Sequence, residues 1–237
     1  MSDLPKFMAI SLLRFEKPLT VETFASSPLD TKVRYSTHRA DSSLMDGTIA
    51  TESNVFYHIA LCDDKRTCDE ATKELIFEAK ILDGVTESIQ LSLRPSMHRG
   101  NINWLDQVSP GPIFETHEKP PNVNPVVSMT SGGFREPGTQ MERVSRTISN
   151  TVMVARDVLK ADGLQFRRVF SLCENFGDPI TFTVWDSEDD IKTFAYQPGE
   201  HLERAKPQLD SDFHFDRTSF AQFTIDRAAG EWAGVRL

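Results

Sequence analysis

The sequence predicts an α+β protein made of two ferredoxin-like modules packed sheet to sheet. Three observations predict it. The second half reads strand, helix, strand, strand, helix, strand, with strands starting near Val126, Leu164, Ile180 and Ser219; that is the order of a four-stranded antiparallel sheet covered by two helices. The first half repeats three of these strand starts at Phe7, Val55 and Glu87, with a capped helix between the last two strands in both halves. Each sheet carries an apolar face that is costly to leave in water, so packing the open faces together hides both.

Phe7 to Phe15 is apolar, short and followed by Pro18, which suits a first strand. Residues 16–54 are polar and carry Pro28, Asp46 and Gly47; they read as a long loop with a short helix near Val21 to Ala25. Val55 to Leu61 is the second strand. Thr67 and Glu70 have capping-box spacing, and Ala71, Leu75, Ala79 and Leu82 fall on one face of the helix they open, which ends at Gly84. Glu87 to Leu93 is the next strand. Pro110, Pro112, Pro120, Pro121 and Pro125 interrupt any periodicity, so residues 106–125 read as a linker between a divergent module, 1–105, and a second module, 126–237.

In the second module Val126 to Met129 opens a strand that runs into Ser131, Gly132 and Gly133, where a glycine-driven bulge is expected rather than an anion site. Thr139 and Glu142 form another capping box, and Met141, Val144, Ile148, Val152, Ala155 and Leu159 recur at helical spacing until Asp162 and Gly163. Strands follow at Leu164 to Cys173 and Ile180 to Trp185. The acidic run Asp186, Glu188, Asp189 and Asp190 suits a helix start, where negative charge complements free amides and the helix dipole; it is assigned no chemistry.

The 237 residues, 39% hydrophobic and 26% charged, are enough for a substantial core. A net charge of −9 and dispersed basic residues argue against a nucleic-acid partner. No run approaches the roughly 20 apolar residues of a membrane span, and Phe7 to Leu13 is too short for a secretory signal, so a soluble cytoplasmic protein is expected. The three cysteines, Cys62, Cys68 and Cys173, lack zinc-site spacing and read as ordinary reduced thiols.

The chain resembles the dimeric α/β-barrel monooxygenase superfamily, nearest to its spheroidene monooxygenase-like group. The resemblance rests on Gly163-Leu164-Gln165-Phe166, on Phe182-Thr183-Val184-Trp185 leading into the acidic helix, and on Ser219-Phe220-Ala221-Gln222-Phe223 followed by Gly230-Glu231-Trp232-Ala233-Gly234. The first strand, Ala9 to Phe15, is also similar. The likeness covers about the last 75 residues well and residues 16–125 poorly. It implies an intrachain dimeric α/β barrel and a heme-dependent oxygenase acting on a small or medium apolar molecule, and it is compatible with a homodimer. The superfamily also includes cofactor-free enzymes. An oxidation, isomerisation or cyclisation without cofactor therefore stays open, as does non-catalytic small-molecule binding.

On this resemblance His201 is the candidate iron ligand. In a continuous helix it shares a face with Phe194, although Pro198 and Gly199 intervene; the alternative is an exposed or core histidine. Arg168 interrupts the apolar alternation Leu164, Phe166, Phe170, Leu172 and is a candidate anchor for an acidic group such as a heme propionate, or else marks a bulge or an internal salt bridge. Phe182, Trp185 and Phe194 line a candidate cofactor pocket or simply form core. His58 is expected to project between the sheets, and Trp232 to anchor the C-terminal tail. No catalytic residue is assigned.

Overall fold

A computed structural model describes residues 4–18, 34–41, 51–81, 84–100, 114–119, 124–133, 142, 153–154, 156–172, 175–198, 203 and 217–237. The first four strands are β1 (Phe7–Phe15), β2 (Arg34–Asp41), β3 (Thr51–Cys62) and β4 (Val85–Gly100), with helix α1 (Lys65–Ile81) between the last two. The second four are β5 (Val126–Gly133), β6 (Leu164–Leu172), β7 (Asn175–Trp185) and β8 (Arg217–Glu231), with helix α2 (Glu188–Tyr196) after β7. Glu142, Met153, Val154 and Arg156–Val158 are also helical, inside the span predicted for the long helix. The short helix expected near Val21 to Ala25 lies outside the described residues.

The strands close into a barrel in the order β1-β3-β2-β6-β7-β5-β8-β4. Read from β4, each half contributes the same arrangement: last strand, first, third, second. This is the ferredoxin-like order, present twice. The two sheets meet along both edges, through β2 with β6 and through β4 with β8, so their open faces line one common interior. The expected fold is the observed one, with β2 as an addition where the sequence suggested only loop. Its sequence, RYSTHRAD, is polar throughout. It is a strand because β3 and β6 pair with it on both sides, not because of any hydrophobic alternation.

Alternation sorts the side chains. Met8, Ile10 and Leu12 of β1 meet Val55, Tyr57, Ile59 and Leu61 of β3, Leu91 of β4, Val127 and Met129 of β5, Phe182 of β7 and Phe223 of β8 in one buried cluster. Only the inside of a closed ring lets strands from all sides touch. The opposite faces carry smaller clusters. Ala9, Ala60 and Cys62 pack on Cys68 and Ala71 of α1, and Val126 and Trp185 pack with Val158 and with Ile191 of α2. At roughly 25 cal/mol per Å² of apolar surface removed from water, each large side chain in the interior favours closure by about 1.5–3 kcal/mol.

The interior is stoppered at both ends. Phe114, in the stretch predicted as linker, reaches into the main cluster and stacks against Phe223 at a centroid distance of 5.6 Å. Its segment is tied down by the Glu115 amide donating to the Pro5 carbonyl at 2.8 Å and the His117 amide donating to the Pro95 carbonyl at 3.0 Å. At the other end Trp232 turns in beneath the Arg14 and Arg168 guanidinium groups, 4.5 and 5.0 Å from its ring centre. Glu87 clasps this end. One carboxylate oxygen accepts from Arg14 Nη1 at 2.6 Å and the other from the Ala233 amide at 3.0 Å.

Local signals shift in detail. The cap of α1 is Asp64, whose carboxylate accepts the Thr67 amide at 2.8 Å, so the helix starts earlier than the expected Thr67–Glu70 box. Glu70 instead pairs with Arg66 one turn back. The glycine bulge expected at Gly132 and Gly133 is absent: both continue the ladder, opposite Thr218 and Arg217. Pro95 sits within β4, where it cannot donate to the ladder, and the register with β8 slips there, between Pro95 and Met97. The β4–β8 seam needs glycine near both ends. At Gly100 and Gly230 φ is +82° and +96°, and a Cβ would lie 2.0 and 2.1 Å from the carbonyl oxygens of Thr218 and Ser88.

Candidate functional site

Helix α2 organises the outer face of the second sheet. Ser187 is its N-cap, with extended backbone and an Oγ that accepts the Asp190 amide at 3.2 Å, and Glu188, Asp189 and Asp190 fill the first turn. The acidic run therefore has the capping role expected for it. The helix stops at Tyr196. Gln197 is extended (φ −72°, ψ 145°), as a residue before proline prefers. The helical register that would place His201 on the face of Phe194 thus does not run through, and His201 itself lies outside the described residues.

The other candidate residues divide between the two faces of the sheet. Arg168 stands opposite Phe182 in the β6–β7 register, and Phe182 belongs to the interior cluster. Arg168 therefore points inward, as the interrupted alternation suggested, and its guanidinium lies over Trp232. Trp185 lies outside, its ring tilted against that of Phe194 of α2 at 5.6 Å. One cavity does not bring these four together. Beside Arg168, burial and the neighbouring positive charge lower the pKa of Arg167 to about 10.

His58 differs from expectation. Val55, Tyr57, Ile59 and Leu61 are the more apolar face of β3 and take the interior, which turns His58 to the outside, opposite Ser11. It is nevertheless buried, at 6% exposure, and burial lowers its pKa from 6.5 to about 4. The folded state therefore holds a neutral ring while the unfolded chain takes up a proton below pH 6.5. Stability contributed by the neutral ring is present above that pH and is lost as pH falls toward 4, by up to about 3 kcal/mol. Urea titrations between these pH values should show that loss, with a shallower pH slope in His58→Gln. An unchanged slope would remove His58 from the account.

Next to the Trp185–Phe194 pair, α2 stands over a cavity of about 470 Å³. The β4–β8 register sets Met97 opposite Gln222 and Arg99 opposite Phe220, and these four side chains line one wall. Ile191, Ala195 and Tyr196 line the other. At the rim Glu188 accepts from Lys119 at 3.3 Å and lies 3.0 Å from Lys192, and the hydrogen bond from Lys192 holds its pKa below the usual carboxylate range. The volume and the apolar stretches at Met97, Ile191 and Phe220 suit a small organic ligand, and Arg99 suits an acidic group on it.

The sequence offered no signal for this wall, which forms only when β8 pairs with the far end of β4. Lys119 was hidden among prolines. Among the described residues no three His, Cys, Asp or Glu side chains converge to hold a metal ion, and no helix is long and apolar enough to cross a membrane.

A doubled ferredoxin-like sheet closed within one chain, with helices on its outer face, defines the dimeric α/β-barrel fold. Two aldoxime dehydratase structures share this fold. The chain is similar to an aldoxime dehydratase in complex with butyraldoxime (11% identity, 95% of this chain and 81% of that chain covered, TM-score 0.54). A second aldoxime dehydratase structure matches at 11% identity, 93% and 82% coverage and a TM-score of 0.52. A Fusobacterium nucleatum protein provisionally named a monooxygenase aligns over 100% of this chain and 98% of its own at 12% identity, with a TM-score of 0.40. No family model matches the sequence, and no curated protein matches it.

Proposed function

We propose that the chain is an oxygenase-like enzyme for a small or medium apolar molecule, which binds between α2 and the outer face of β4 and β8. The cavity of about 470 Å³, with Met97, Ile191 and Phe220 in its walls and cations at its rim, is the observation that carries this reading. The dimeric α/β-barrel fold supports it by supplying the scaffold. In the aldoxime dehydratase complex that fold accompanies butyraldoxime, a small organic molecule.

Heme is the proposed cofactor. Met97, Ile191 and Phe220 of the described lining would meet the apolar body of such a ligand and Arg99 one of its carboxylates, while Lys192 is paired with Glu188 and Asp189. The described lining contains no imidazole, so the iron ligand is proposed to be His201, which follows α2 in the chain. Heme, when bound, supplies the oxygen chemistry. Phe194 and Trp185 are proposed to support the α2 wall, while Arg168 and Phe182, on the opposite face of the sheet, serve the interior instead. Titration with hemin should produce a Soret band that is lost in His201→Ala and in the cavity-filling Ala195→Trp. No band in the wild type would end the heme reading.

One observation favours a second reading. Glu188 sits between two ammonium groups at the cavity rim, an arrangement that keeps its carboxylate ionised and can orient a polar group of a substrate by charge and hydrogen bonds without a metal. A cofactor-free enzyme of this fold would turn over substrate after iron and heme are stripped, and Glu188→Gln would then lower kcat.

A further inference from the structure

Cys62 ends β3, and Cys68 lies in the first turn of α1. The two are buried in one small cluster with Ala9, Ala60 and Ala71, and both are free thiols. Their sulfurs are hydrogen-bonded to each other. The Ser92 hydroxyl on neighbouring β4 donates to the Cys68 sulfur at 3.1 Å, and the Leu93 amide donates to it as well. The Ser92 hydroxyl and the Leu93 amide thus meet the Cys68 sulfur in the first turn of a helix, and these contacts favour thiolate there, whereas the hydrogen bond to Cys68 and burial push the Cys62 thiol up. A pair of structural thiols has no need of this asymmetry.

We propose that Cys62 and Cys68 are a redox-active dithiol, with Cys68 as attacking sulfur and Cys62 as resolving sulfur, whose disulfide staples α1 to the end of β3. The oxidant is a low-molecular-weight disulfide such as oxidised glutathione. The Cys68 thiolate attacks one of its sulfurs, the S–S bond breaks, one glutathione thiolate leaves, and a mixed disulfide remains. Cys62 then passes its proton to the departing thiolate and attacks the Cys68 sulfur, expelling the second glutathione. Two protein thiols are oxidised while one glutathione disulfide is reduced to two thiols. Access comes through the turn joining the elements, since Asp63, Asp64, Lys65 and Arg66 are all exposed and local opening of so short a turn uncovers Cys68. Neither the cavity nor heme enters this inference.

The test uses the full chain. Reduced protein is incubated with oxidised glutathione, unfolded in acid with an alkylating agent and mapped by mass spectrometry. A parallel sample is refolded from denaturant in the same glutathione buffer, which removes any barrier of burial. A linked 62–68 peptide two hydrogens lighter, in either sample and reversed by dithiothreitol, supports the proposal, as does glutathione trapped on Cys68 in Cys62→Ser. Cys62→Ala serves if the serine variant does not fold. Both thiols found free in both samples, glutathione trapped on Cys62 instead, or either cysteine paired with Cys173 would overturn it.

Discussion

Trp232→Ala is expected to lower the unfolding free energy by about 3–5 kcal/mol, the range for deleting a buried tryptophan or phenylalanine side chain. The indole is only 1% exposed and lies within cation–π reach of both Arg14 and Arg168. Alanine would leave a void and remove the aromatic face over which both guanidinium groups lie, which places the loss toward the upper end of that range. Trp232→Phe keeps an aromatic face for both cations and should cost about 1–2 kcal/mol. Denaturant titration measures both. A loss below about 1 kcal/mol for the alanine variant would show that the tail merely rests on the barrel.

Phe114→Ala should cost a similar amount, about 3–5 kcal/mol, although the residue lies outside every strand and helix. It is 1% exposed, and His98 meets its ring edge-on at 5.5 Å. Burial lowers the pKa of His98. Admitting water where the phenyl ring was should raise that pKa toward its ordinary value, which an NMR titration would follow. The His98 shift separates loss of the stopper from general loosening, because a variant weakened elsewhere would leave this ring half-buried against Phe114. Phe114 and Trp232 occupy opposite ends of the barrel, so the two losses should add in the double variant.

The doubled fold was legible because its strands begin at comparable places in both halves and because Gly84 and Gly163, both at positive φ, mark where helices end. Arg168 was legible too, since one charge in a run of alternating apolar residues has to face what its neighbours face. β2 was not, because strand pairing on both sides holds a polar sequence that has no periodicity of its own. His58 was assigned to the wrong face: two candidate faces of β3 both carry apolar residues, and the richer one took the interior. The candidate cavity depends on Met97, Arg99, Phe220 and Gln222, which are adjacent only through long-range register, information that local pattern does not carry. Cys62 and Cys68 looked unremarkable by spacing, and it is the return of α1 onto the sheet that sets them side by side.

Ring closure through β4 has a consequence for how the molecule meets others. An open eight-stranded sheet would present two borders of bare amides and carbonyls, the template on which fibrils and exchanged dimers grow. Here each of the eight described strands has a neighbour on both sides, so none of these is left to recruit a stranger. Since both sheets belong to one chain, sealing the ring is also a unimolecular event and does not wait on a partner's concentration.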